Sequence, residues 1–198
     1  MTYDPEATMR RPTTWALLLP LLLAFTAGCA RSRPYHDRNM DFAAIKTVAV
    51  LPFWNLSSNQ QAADRVRDVF ANSLLATQAV YVVPTGEVAR AVARLGLSSA
   101  TSPTVDEVVK IGTMLKADAV ITGVVREYGE VRAGTANSNV VSVSVQLIEA
   151  GTGKVVWSGD ATRGGVTWAA RLLGTTGGEP MNAVTEQVVN DLLKQLFN

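Results

Sequence analysis

The chain has 198 residues, enough for one domain with a hydrophobic core once a short leader is set aside. Its 18 Lys plus Arg nearly cancel its 17 Asp plus Glu. There is no basic run that could track a phosphate backbone, and nucleic-acid binding is therefore not expected. One cysteine, Cys29, and one histidine, His36, exclude an internal disulfide and the Cys/His spacing of a structural metal site.

The chain opens with Arg10-Arg11 and an apolar run of 14 residues from Trp15 to Gly28. That length suits the apolar core of a signal peptide, typically about 7–15 residues. It falls short of the roughly 20 needed to cross a bilayer as a helix, and Pro20 further disfavours a spanning helix. The run ends in Thr26, Ala27 and Gly28, small residues directly before Cys29. Ala27-Gly28-Cys29 resembles a lipobox, and Thr26 stands where that pattern has Leu. The resemblance implies cleavage before Cys29, diacylglycerol on its sulfur and an acyl chain on its new amino terminus. Several buried chains anchor firmly, since each CH₂ contributes about 0.8 kcal/mol. Ala30, in place of Asp, implies sorting to the outer membrane in a two-membrane bacterium. Met9 is a second candidate start, just before the basic pair.

Residues 30–41 are polar and lack periodicity, so they read as a flexible tether with His36 as a solvated linker residue. Twelve residues reach at most about 40 Å, which keeps the domain near its membrane. The expected organisation is thus a signal peptide over 1–28, a lipidated tether over 29–41 and one periplasmic domain over 42–198.

Lys46–Phe53 is a near-continuous apolar run, the pattern of a strand buried on both faces, ended by Pro52. Asn55–Asn59 is turn chemistry. Ala62, Val66, Val69, Phe70 and Leu74 recur at helical spacing. Ala79–Val83 reads as a short strand. Pro84-Thr85 opens a helix carrying Val88, Val92 and Leu95 and closed by Gly96. Thr104-Val-Asp-Glu107 is a capping box, so a further helix runs to about Lys116. Asp118–Tyr128 is a strand. Val141, Val143, Val145 and Leu147 alternate with Ser142, Ser144 and Gln146, giving a strand with one core face and one solvated face. Ala150–Gly153 is a hairpin turn and Val155–Thr162 the returning strand. After a Gly-rich segment, Arg163–Glu179, a last helix carries Met181, Val184, Val188, Leu192 and Leu196.

This order predicts an α/β domain with a mixed sheet. A right-handed parallel crossover comes first, an antiparallel three-strand meander follows, and helices pack on the sheet.

Catalytic chemistry is not expected. Gly151-Thr-Gly-Lys154 lacks the flanking Gly and hydroxyl of a phosphate loop, since Ile148 and Val155 occupy those places. The only His lies on the tether, so no serine has a histidine base within the domain, and no Gly-x-Ser-x-Gly elbow occurs. Glu127 and Glu130 read as solvated surface carboxylates. No cofactor or metal is implied.

Three stretches carry a resemblance: Val48-Ala-Val-Leu-Pro-Phe53, Ala117-Asp-Ala-Val-Ile-Thr-Gly123, and Val143 to Ser158 with its Thr-Gly turn and Val-Trp-Ser end. Together they resemble the periplasmic lipoprotein superfamily of the curli secretion-channel lipoprotein (CsgG) and the activator of penicillin-binding proteins (LpoB). The resemblance runs from about Ile45 to Gly164 and implies action by protein binding, without catalysis. Gly129–Asn139 is too short and polar for a membrane-inserting hairpin, so a pore is not expected. The short tether points to a partner near the outer membrane, either an envelope protein or further copies of the chain. Regulation of a peptidoglycan synthase is one alternative. A periplasmic ligand-binding protein or hydrolase is another.

Trp54 and Asn55, at the end of the first strand, and Trp168 and Arg171, in the Gly-rich segment, are the candidate partner contacts. Sheet ends commonly face ligands, and Trp and Arg are enriched in binding hot spots.

Overall fold

Residues 34–133, 136–165 and 178–198 are described by a computed structural model. Strand β1 (Tyr35–His36) and a 3₁₀ turn (Phe42–Ala44) precede β2 (Thr47–Val50) and β3 (Trp54–Asn55). Helix α1 (Ala62–Ala76), β4 (Tyr81–Val82), α2 (Thr85–Leu95) and α3 (Val105–Leu115) follow. Then come β5 (Ala119–Ala133), β6 (Ala136–Glu149), β7 (Val155–Gly164) and α4 (Met181–Phe197).

The seven strands form one mixed sheet in the order β1-β7-β6-β5-β2-β4, with β3 alongside β5. Strand β2 is parallel to both β4 and β5, so α1 and the α2–α3 pair are the crossover connections that parallel pairing requires. Strands β5, β6 and β7 are the expected antiparallel meander. The mixed-sheet α/β class read from the sequence is the observed one.

Alternation decides which side is core. Val143, Val145 and Leu147 of β6, with Ile121 of β5 and Trp157 of β7, pack under Phe70 and Leu74 of α1 and Val188 and Leu192 of α4. A smaller cluster on the opposite face joins Ala49, Leu51, Val120 and Ile148 to Val88 of α2 and to Val108 and Ile111 of α3. That is why Val48–Leu51 is apolar throughout: each of its faces is roofed by helices. The first strand is nevertheless shorter than its apolar run, because Pro52 breaks the ladder and β3 restarts pairing further along β5. Asp118 fixes its start by accepting hydrogen bonds from the backbone N–H groups of Lys46 (2.8 Å) and Thr47 (2.9 Å).

Two expectations are corrected. The tether does not extend to residue 41. Tyr35 and His36 pair antiparallel with Ser158 and Trp157, and the Asp37 N–H donates to the Val156 carbonyl at 2.8 Å. Asp41 then caps the 3₁₀ turn. His36 is no solvated linker residue: its ring is half-buried, 5.8 Å from Phe42 and 6.4 Å from Trp157 between centroids. Secondly, β5 does not stop at Tyr128. It continues past a bulge between Val125 and Glu127 and pairs with β6 out to Ala133↔Ala136. Glu127 and Glu130 therefore both sit on this strand, and both are exposed.

Candidate functional site

Among the described residues, the alternation that buries Val141–Leu147 leaves the other face of the meander without a helix except at the end covered by α2 and α3. Register places its side chains in rows, because directly paired residues share a face. One row is Trp54, Val124, Ser144 and Asp160. A second is Thr122, Gln146, Ser158 and Tyr35. A third is Glu127, Ser142 and Thr162, with the Thr162 hydroxyl donating to Ser142 at 2.9 Å. The face thus carries hydroxyls, the Gln146 amide and the carboxylates of Glu127 and Asp160, with an aromatic at each rim. Trp54 is 49% exposed and Tyr35 53%. Ser144 Oγ is buried and has no hydrogen-bond partner among the described residues.

Trp54 reaches this exposure because Phe53, its neighbour, takes the inward position. Phe53 packs on Phe70 at 6.0 Å and lies over Gly123, where a Cβ would come within 2.7 Å of its ring. Trp54 therefore faces away from the main core. Asn55 has a local structural task. Its Nδ2 donates to the carbonyls of Asn59 (2.7 Å) and Gln60 (3.3 Å). Its Oδ1 accepts from the Ser57 N–H (3.0 Å) and hydroxyl (2.8 Å). This Asx-type turn delivers the chain into α1 and presents Leu56, which is 57% exposed. Trp168 and Arg171, and Thr26, Ala27, Gly28 and Cys29, lie outside the described residues.

Sequence reasoning took the Ser142/Ser144/Gln146 face as merely solvated and missed that Tyr35 and Trp54 flank it. The alternation was the available signal for the face. Nothing in the two-residue strands β1 and β3 announced which edges they would occupy.

The face offers hydrogen-bonding groups of both neutral and acidic kinds together with aromatic surface, the means of holding a partner. Among the described residues no cluster of three or more His, Cys, Asp or Glu could hold a metal ion. Nor is any described helix long and apolar enough to cross a membrane.

No curated protein matches the sequence. Among solved structures, lipoprotein GNA1162 from Neisseria meningitidis superposes with a TM-score of 0.55 at 20% identity, covering 77% of this chain and 99% of that one. The PelC dodecamer from Paraburkholderia phytofirmans gives 0.53 at 20% identity, covering 82% and 96%. At these identities the likeness speaks for the fold. The LpoB C-terminal domain from Salmonella enterica gives 0.49 at 19% identity, covering 64% and 87%, too low a score to argue from. The lipoprotein character read from the sequence is met by a family model, while the curli-channel part of that resemblance is carried no further. The model describes GNA1162-like lipoproteins and matches residues 39–197, so the chain belongs to the GNA1162-like lipoprotein family.

Proposed function

We propose that the chain is a periplasmic lipoprotein, anchored in the outer membrane through acylated Cys29, that acts as a non-enzymatic protein-binding adaptor in envelope assembly or secretion. The observation that carries this reading is the pairing of two independent signals. A lipoprotein-family domain occupies residues 39–197, and Ala27-Gly28-Cys29 stands just upstream in lipobox order. The hydroxyl-rich, aromatic-rimmed sheet face supports this reading as a surface for a partner. Self-association is part of the proposal, because PelC, a structural likeness of this fold, is described as a dodecamer.

The reading is tested in intact cells by placing a photo-crosslinking residue at Trp54 and, separately, at Trp168 of the full chain. The expected adducts are outer-membrane envelope proteins or the chain itself. Adducts consisting only of an inner-membrane peptidoglycan synthase would overturn the adaptor reading in favour of synthase regulation.

A further inference from the structure

The folded unit begins earlier than residue 42, and this changes the geometry of anchoring. If Cys29 carries lipid, as proposed above, only residues 30–34, five in number, lie between it and Tyr35 on β1. Fully extended, that leash spans at most about 20 Å, and relaxed about 12 Å. A domain of this size is about 40 Å across. The point of attachment therefore has to sit close to the lipid surface, and it lies at one edge of the sheet. Strand β4 forms the opposite edge, five strand positions away, or about 24 Å at the usual interstrand spacing.

The residues around that edge suit a lipid headgroup layer. Tyr35, on β1 itself, is 53% exposed, and Phe197, in the last turn of α4, is 48% exposed. The two flank one edge: Trp157, the β7 partner of His36, hydrogen-bonds to Gln195, two residues before Phe197. Exposed Arg38 lies two residues past β1, after Asp37, and exposed Lys194 lies in the same last turn as Phe197. Aromatic residues with a cationic neighbour are the side chains that settle at a bilayer interface.

We propose that the β1 edge is the membrane-facing surface of the domain, with Tyr35 and Phe197 seated in the phospholipid headgroup layer. The polar sheet face and the β4 edge are then turned toward the periplasm. This proposal rests on acylation at Cys29. It differs from a flat docking of the polar face, which would bring Trp54 to the lipid and lift Phe197 away.

The test uses the lipidated mature chain in vesicles of phosphatidylethanolamine and phosphatidylglycerol. Because acylation blocks the native sulfur, a cysteine introduced as Tyr35→Cys, Phe197→Cys, Trp54→Cys or Tyr81→Cys takes a single environment-sensitive fluorophore. Quenching by lipids carrying a nitroxide near the headgroup is then read. The labels at 35 and 197 are expected to shift to the blue and lose at least half their emission, while those at 54 and 81 stay water-like. Quenching at 54 or 81 without quenching at 197 would overturn the orientation. So would four water-like labels on vesicle-bound protein. Protein that carries no acyl chains and does not float with the vesicles would instead remove the anchor on which the orientation depends.

Discussion

The indole Nε1 of Trp157, on β7, donates to the backbone carbonyl of Gln195, on α4, across 3.3 Å. Trp157 is fully buried, so this bond satisfies a donor that would otherwise be stranded in the core. It also ties the last helix to the strand that carries β1. Trp157→Ala is expected to cost about 3–5 kcal/mol, the usual range for truncating a buried aromatic. Trp157→Phe should cost less, but it leaves the Gln195 carbonyl without its partner. Urea denaturation of the folded domain checks both; a loss under about 1 kcal/mol for the alanine variant would contradict the assignment.

Gly123 exists for Phe53. A methyl at this position would meet three atoms of the Phe53 ring at 2.7–2.8 Å. Gly123→Ala should therefore destabilise by about 1–3 kcal/mol, the typical range for overpacking. Adding Phe53→Leu should recover part of that loss, giving a non-additive double-mutant cycle. Simple additivity would show that the two residues do not compete for the same space.

The capping box on α3 makes a pH prediction. The Glu107 carboxylate accepts from the backbone N–H groups of Thr104 (2.7 Å) and Ser98 (3.0 Å). These bonds to its charged form, with Thr104 the larger influence, lower its pKa from 4.5 to about 2. The folded value lies below the unfolded one. Its stabilising contribution is thus fully present above about pH 4.5 and fades as pH falls toward 2. Protection of the amides at the start of α3, taken relative to their intrinsic exchange rates at each pH, should fall across that window in the wild type. In Glu107→Gln the acid-dependent part should vanish, and Thr104→Ala should cost roughly 1 kcal/mol at neutral pH.

Trp54 separates stability from binding. Half of its side chain is in water and its neighbour Phe53 supplies the core contact, so Trp54→Ala should change stability by less than about 1 kcal/mol. The same change should reduce crosslinking of the chain to its partner. A large drop in unfolding free energy with unaltered crosslinking would make Trp54 a packing residue.

Most of the fold was legible because its signals are periodic. Thr104 and Glu107 form the capping box that their spacing announced, and Gly96 closes α2 in the left-handed conformation at φ 56°. Val141 to Leu147 alternate as the buried face of β6. What escaped was non-periodic. Two residues at Tyr35 cannot show alternation, and their place beside β7 depends on backbone pairing with Ser158, more than a hundred positions away. His36 looked solvated because its neighbours in sequence are polar, whereas its neighbours in space are Phe42 and Trp157. The polar face was visible as Ser142, Ser144 and Gln146, but its aromatic rims come from β1 and β3, which only the assembled sheet places there. Asn55 read as a contact residue because turn-forming and ligand-binding asparagines look the same in sequence.

Mass spectrometry of the mature protein's amino-terminal peptide, purified from membranes of its native cell type, tests the anchor most directly. A peptide beginning at Cys29 and carrying diacylglycerol plus an amide-linked acyl chain is the predicted result. An unmodified thiol at Cys29, or a mature chain beginning elsewhere, would contradict it.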